Sequence, residues 1–372
     1  MQTILSIVPY KIFPAKLGGQ KGIALFNQYF SHRVKLVCVT VASNGPSQAA
    51  DYTLLNVLSD SPVRYINLGY FFLIRRILRK NNITHLLLEH PYFGWLGILL
   101  KKFAGVKLIV HSHNIEFLRW KTLGKWWWPI LLQYEKMTHR AADYNFFIQE
   151  EDRQLALHKF GLKEERCATI TYGIDWDNAP TVEERHRCRN ALLLQHGISA
   201  ETAIFLFNGT LDYPPNLAAL KVILNELNPM FIASQFTYKI IICGRGLPAE
   251  LNELSSYKDK NVIYAGFTED ISLYFKAANV FLNPVVDGGG IKTKLVEAIG
   301  YGTRSVSTIN GSIGVTTQQA GELLSITGND DWTSFANAAI NAAQLPPGKV
   351  PKAFFEHFYW GNIARKAASF IQ

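Results

Sequence analysis

Ten residues, Gly288 to Glu297, bring together three glycines, two lysines and a glutamate within the stretch DGGGIKTKLVEAIGYGT (287–303). Glycines let backbone amides approach a ligand closely, and a helix start offers unpaired N–H donors at the positive end of its dipole. Lys292 and Lys294 add full charges, so the segment reads as a cradle for a phosphorylated ligand. Apolar Ile291, Leu295, Ala298 and Ile299 recur at core-facing helical spacing, whereas Lys294, Glu297 and Tyr301 share another face. Glu297 is thereby poised to accept paired hydrogen bonds from sugar or ribose hydroxyls. The plainer alternative is a surface helix with a Lys294–Glu297 i,i+3 pair, preceded by glycines that only make a turn.

Such a segment needs a strand before it and a sheet beneath it. Short apolar runs ending in turns alternate with helical patterns throughout. Strands are expected at ILSIV, Val34–Thr40, His85–Leu88, Lys107–His111, Tyr144–Ile148 and Ala168–Tyr172. Helices are expected at 21–30, 70–80, 94–103, 129–140 and 150–160. Alternation of this kind predicts an α/β fold with parallel sheets covered by helices on both faces. After Gly173 the texture turns polar, and a new strand begins near Ala203, placing a hinge in 173–202. Ligands of open α/β sheets bind beyond the carboxyl ends of the strands. Gly18 and Gly19, His90, His111 to Asn114, Gly209, Arg245 and the triple glycine all fall at such ends. His111 is expected on the opposite sheet face from His113, and Asn114 as a cap of the helix that follows.

The 372 residues and 48% hydrophobic content suffice for two cores. Cys38, Cys167, Cys188 and Cys243 stand far apart without ligand spacing, which argues against a disulfide framework or a zinc site. The start, MQTILSIVPYK, lacks a leader's basic region, and no apolar run is long enough to span a bilayer, so a cytosolic chain is expected. Residues 1–172 carry 22 Lys and Arg against 11 Asp and Glu, while the remainder carries 16 against 18. A basic half points to an anionic partner surface. Within FLRWKTLGKWWWP, Trp120, Trp126, Trp127 and Trp128 alternate with Arg119, Lys121 and Lys125, the composition of a segment lying at a membrane surface. The alternative is a loop whose tryptophans pack inward. No nucleic-acid-binding signature accompanies them.

Taken together, FLFNGTLDYPPNLAAL (205–220), YKIIICGRG (238–246), NVIYAGF (261–267), DISLYFKAANVFLNP (270–284) and the glycine segment closely resemble the C-terminal domain of glycosyltransferase family 4. The likeness extends to KLIVHSHNIEFLRW (107–120), QYEKMTHRAADYNFFIQEED (133–152), TYGID (171–175) and FYWGNIARKAASFI (358–371), and so covers most of the chain. The resemblance implies a GT-B fold with two Rossmann-like domains facing across a cleft: 1–172 on the acceptor side, 173–350 on the donor side, and 351–372 as a helix crossing back. It implies a retaining glycosyltransferase that uses a nucleotide-sugar donor and a glycan or lipid-linked acceptor in surface glycan synthesis, peripheral on the inner face of the membrane.

By that resemblance, Lys292, Lys294 and the amides from Gly289 and Gly290 to Thr293 hold the leaving phosphates, with Gly18 and Gly19 on the opposite wall. Glu297 matches the second glutamate of the family's paired-glutamate motif, and His113 matches a histidine near the reacting sugar. Gly209, Arg245 and Phe267 fall near the nucleotide, Arg245 and Phe267 being otherwise a solvated loop residue and a core residue. Trp120, Lys125, Trp126 and Trp127 mark the acceptor or membrane side. Two departures stand out: the family's first glutamate is Gly289 here, with Asp287 as its candidate substitute, and Thr210 and Pro215–Asn216 replace the usual basic pair. Asp175-Trp176-Asp177 matches a metal-binding DxD pattern, but it lies at the hinge without supporting ligands, so metal-independent turnover without a cofactor is expected. A nucleotide-sugar epimerase and a non-catalytic nucleotide-sugar-binding subunit are the competing readings.

Overall fold

The computed structural model describes residues 2–15, 18–45 and 49–372. It divides into two compact units, Met1–Asp175 with Phe358–Gln372, and Trp176–His357.

The first unit is a seven-stranded parallel sheet of β1 (Thr3–Ile7), β2 (Lys35–Val41), β3 (Thr53–Leu58), β4 (His85–Glu89), β5 (Lys107–Ser112), β6 (Tyr144–Phe147) and β7 (Cys167–Thr169), in the order β3-β2-β1-β4-β5-β6-β7. Its strands are apolar on both faces because both are covered, as a parallel sheet requires. On one face Leu5, Val39, Leu86 and Leu108 meet Tyr70, Ile74 and Leu78 of α2 (Gly69–Lys80) and Leu96 and Leu100 of α3 (Gly94–Ala104). On the other, Phe26 of α1 (Gly18–Ser31) packs on His111 and Trp360, and Phe146 on Phe370. Helix Trp360–Phe370 thus belongs to this unit and lies against α1. Ile174 and Tyr359 pair like adjacent strands, with Ile174 N–H on Phe358 O at 2.7 Å. A Cβ at Gly173 would come within 2.8 Å of Phe358 O, so only glycine allows that approach.

The second unit is a six-stranded parallel sheet of β8 (Ala203–Asn208), β9 (Tyr238–Cys243), β10 (Val262–Gly266), β11 (Val280–Asn283), β12 (Arg304–Thr308) and β13 (Leu324–Thr327), in the order β10-β9-β8-β11-β12-β13. Its core centres on Phe205, Phe231 and Tyr238, whose ring centroids lie 4.7 to 5.7 Å apart. Phe231 is wholly buried, and its replacement by alanine costs about 3–5 kcal/mol. In each sheet the winding direction reverses once, at β1/β4 and at β8/β11. Loops diverge there and leave a crevice at the carboxyl ends of the strands.

Candidate active site

In the second unit the triple glycine links β11 to helix Thr293–Gly300, beside the β8/β11 reversal. Gly288 and Gly290 have φ of +86° and +76°, conformations that L side chains rarely adopt. A Cβ at Gly288 would lie 3.1 Å from Pro215 Cγ, so the loop rests on the turn after β8, whereas Gly289 faces open space. Asp287 is exposed, and its Oδ1 accepts the Gly288 amide at 2.6 Å. Lys292 occupies the helix N-cap position, and its side chain makes no capping hydrogen bond to the first amides of the helix.

The two lysines are engaged within the segment itself. Lys292 Nζ donates to Gly288 O at 2.6 Å and Gly290 O at 3.1 Å, clamping the loop around its own ammonium. Burial lowers its pKa to about 8, opposed by the nearby Asp287 carboxylate. Lys294 Nζ donates to Glu297 Oε2 at 2.8 Å, and Glu297 is buried. The i,i+3 pair anticipated as the plainer alternative is therefore present, but it is half sunk into the protein rather than on a solvated face.

The neighbouring loops converge on this segment. Gly209 N–H donates to Cys243 O, Leu211 N–H to Arg245 O, and Gly244 N–H to Gly266 O, tying together the turns after β8, β9 and β10. A Cβ at Gly244 would sit 1.9 Å from Gly209 O. Arg245 is an exposed loop residue, and Phe267, 68% exposed, is no core residue. Beneath the glycine loop lies a buried network the sequence reading missed. Asn283 Nδ2 donates to Ser307 Oγ and Gly311 O, while Thr308 Oγ1 accepts the Gly311 amide and donates to Val285 O. Asn283 at the end of apolar β11 and the buried serines and threonine of β12 were its signal.

In the first unit, the loops at the β1/β4 reversal enclose a cavity of about 610 Å³ whose walls include Gly19, His90, His113, Trp120 and Tyr134. Gly18 and Gly19 open α1 and are exposed. His113 Nε2 lies 2.6 Å from Glu89 Oε2, and His111 Nδ1 lies 3.0 Å from the same oxygen. The expected opposition of His111 and His113 is overturned: β5 ends at Ser112, and in the bend that follows His113 turns to the same carboxylate at the end of β4 that His111 reaches. Burial alone raises the pKa of Glu89, but the His111 charge and hydrogen bonds from both histidines outweigh it and hold the group far below the usual range. Burial, reinforced by His111 and His90, lowers His113 to about 3, against the pull of Glu89. A neutral His113 that donates Nε2–H to an ionised Glu89 leaves Nδ1 as an acceptor. These three residues hold their donor atoms within 4.8 Å of one another, a composition that also suits a metal. The 2.6 Å separation is hydrogen-bond length.

A second carboxylate–imidazole pair adjoins the first. His90, at φ +70°, stacks on His113 at 4.5 Å and on Tyr92 at 5.1 Å. Its Nε2 is 2.9 Å from Tyr10 Oη, and its Nδ1 is 3.4 Å from Glu116 Oε1. Glu116 lies in α4 (Glu116–Thr122), and that helix is capped not by Asn114 but by Glu135 of α5 (Trp128–Ala141), which accepts the amides of Glu116 and Phe117 at 3.0 Å. Sequence reasoning placed His90 only as a strand end and missed Glu89, Glu116, Glu135 and Tyr10.

The tryptophans divide. Trp120 lines the cavity and packs on Trp127 at 4.9 Å, and Trp128 lies near Phe117, while Trp126 is 82% exposed beside exposed Lys125. Trp176, between the two aspartates of the DxD pattern, stacks on Tyr301 at 4.1 Å and donates to Gly300 O.

Residues 28–178 match the family described as Glycosyltransferase Family 4, and residues 202–344 match Glycosyl transferases group 1. Over 155 residues the chain is 32% identical to an uncharacterized 44.6 kDa protein in the cps region of Klebsiella pneumoniae, a stretch that covers 40% of this chain and 39% of that relative. The fold is shared with sucrose-phosphate synthase from Thermosynechococcus elongatus (TM-score 0.72, 15% identity, 100% and 98% of the two chains). It is also shared with a glycosyltransferase from Rickettsia africae (0.69, 14%, 99% and 97%) and with Anabaena HepE in complex with UDP-glucose (0.67, 15%, 100% and 99%). Two parallel α/β units, one for each matched family, make this a GT-B protein, and the chain belongs to the glycosyltransferase family 4 group.

Proposed function

We propose that the chain transfers a sugar, with retention of configuration, from a nucleotide-sugar donor to a glycan or lipid-linked acceptor in surface polysaccharide or glycoconjugate synthesis. The observation that carries this reading is the glycine loop, whose uncapped helix start and open Gly289 leave backbone amides available to a diphosphate. Because Lys292 braces the loop from within, the amides receive the leaving group and the lysine keeps them in place. Arg245 and Phe267, both exposed beside the loop's neighbours, serve the nucleotide, and Glu297 takes its ribose or sugar hydroxyls once Lys294 shares it. His113 presents Nδ1 to a hydroxyl of the reacting partners. HepE was solved with UDP and with UDP-glucose, which supports a nucleotide sugar as donor here.

The test is a thermal-shift panel of nucleoside diphosphates and nucleotide sugars, followed by incubation of the stabilising donor with lipid-linked and free glycan acceptors. Transfer that requires acceptor and disappears in Glu297→Ala is expected. An epimer formed from donor alone, or binding without any turnover, defeats the reading.

A further inference from the structure

A further cavity, of about 270 Å³, lies wholly within the second unit, and Arg185, His186, Arg189, Lys276 and Arg304 line it without any acidic side chain. Asn279 immediately precedes β11 and Arg304 opens β12, so the cavity lies at the amino ends of the parallel strands. The glycine loop lies beyond their carboxyl ends. Helix Thr293–Gly300 runs between the two places, from the loop at its start to Gly302 beside the cavity, and its eight residues set them roughly 12 Å apart. The remainder of the chain from 173 onward has no excess of base, 16 against 18, so this cluster is a product of folding rather than of composition.

Arg185 and Arg189 stand one turn apart on helix Val182–His196 and share a face. Arg185 donates from Nη1 to Tyr301 O at 2.5 Å and from Nη2 to Ala278 O at 3.3 Å. Arg189 donates from Nη1 to Asn279 Oδ1 and from Nη2 to Thr202 O, both at 2.8 Å. Buried Arg304 holds Pro346 O and Glu322 O. These bonds fix the guanidiniums in place but do not neutralise them, since a carbonyl carries only a partial charge. Lys276 has the Glu184 carboxylate at 2.7 Å, and Arg304 has that of exposed Glu322 at 3.4 Å. Among the described residues, Arg185 and Arg189 have no carboxylate within ion-pair distance. The carboxyl ends of helices Ile271–Ala277 and Thr293–Gly300 offset about half a charge each and leave the cavity positive. Burial lowers the pKa of Arg185 to about 10, Cys188 opposing it and Arg189 adding to it, so the group stays charged at neutral pH at a cost to the fold.

We infer that this cavity is a second anion site, built for a small phosphorylated molecule whose phosphate is held by Arg185, Arg189 and Lys276. A guanidinium fork matches phosphate oxygens, and a phosphate ester brings about two negative charges and three strong acceptors, where a carboxylate brings one charge and two oxygens. The volume falls just below that of pockets for drug-sized ligands, which suits a diphosphate or a small phosphate ester and excludes a polymer. The site does not depend on the reaction assigned above.

The experiment is isothermal titration of the full chain with inorganic pyrophosphate at ~0.1 M salt. Two bound pyrophosphates are expected, one at the glycine loop and one here. His186→Glu and Leu345→Glu put carboxylates at exposed positions on the rim and leave every arginine bond intact. Each should weaken one of the two events by roughly tenfold or more, as should Arg185→Gln, while Lys292→Met weakens only the other. Circular dichroism and melting temperature confirm that each variant folds. A single event sensitive to the rim variants and indifferent to Lys292→Met upholds this site and counts against the glycine loop as a diphosphate cradle. No binding, binding unchanged in both rim variants, or acetate bound as tightly as pyrophosphate overturns the inference.

Discussion

Replacing Lys292 by methionine keeps the aliphatic stem and removes the ammonium from the centre of the glycine loop. Two short bonds go with it, at 2.6 Å to Gly288 O and 3.1 Å to Gly290 O. Charge-assisted hydrogen bonds contribute about 1.5–3 kcal/mol each, and partial exposure reduces these to about 1 kcal/mol apiece. Without them the loop samples other conformations and must be ordered by the ligand, so about 2 kcal/mol is lost from binding, roughly thirtyfold in Kd. Isothermal titration with UDP measures this directly. The melting temperature should move by less than about 2 °C, since the loop lies outside the core. Titration adds a sign. The pKa of Lys292 is lowered to about 8, and a bound diphosphate favours its charged form, so binding takes up a proton and weakens as pH rises from about 7 through 9. The methionine variant should lack that component. An affinity within threefold of wild type at pH 7, or the same pH slope in both proteins, would refute the clamp.

Glu89→Gln keeps the shape behind His113 but loses the carboxylate, so kcat should fall about tenfold or more with donor KM little changed, and its pH profile should shift. The pKa values of Glu89 and His113 both lie below their ordinary ranges. Stability from this cluster is therefore complete above about pH 6.5 and lost as pH falls toward 3, which acid titration of the melting temperature will show. Gly244→Ala drives a methyl to 1.9 Å from Gly209 O and should cost several kcal/mol, on the order of 3 or more, by chemical denaturation. Gly289→Glu, which restores the family's first glutamate, meets open space and should melt within about 2 °C of the parent. Transfer should proceed undiminished in EDTA; a requirement for divalent cation would contradict the proposed amide cradle.

Strands with continuous apolar runs were legible because parallel sheets bury both faces, and the runs at 34–40, 85–88 and 107–111 reappear as β2, β4 and β5. β3, TLLNVL, went unread: at the sheet edge its residues are mostly half-buried, and Asn56 interrupts its apolar run. The glycine loop was legible as a backbone feature because positive φ demands glycine. The direction of its lysines was not, since a flexible four-carbon stem reaches carbonyls and ligand equally well and only the fold decides. The carboxylates behind His90 and His113 were also unreadable. Glu89 and Glu116 are far from their partners in one direction or the other along the chain, and parallel pairing of β4 with β5 alone brings Glu89 beside His111. His113 lies one residue beyond β5, so its approach to Glu89 beside His111 depends on the bend that follows the strand.

The return of Phe358–Gln372 to the first unit orders events during synthesis. Trp176–His357 is one uninterrupted segment and can complete its sheet as soon as it leaves the ribosome. The earlier unit must wait, with Phe26, Phe146 and Tyr172 unsheltered, until Trp360 and Phe370 emerge after the whole of the second unit. A stop codon or proteolytic nick ahead of Trp360 therefore leaves the later-made half intact and the earlier-made half a client for chaperones. Truncation should be read out as aggregation nucleated at the amino-terminal half rather than as loss of a tail.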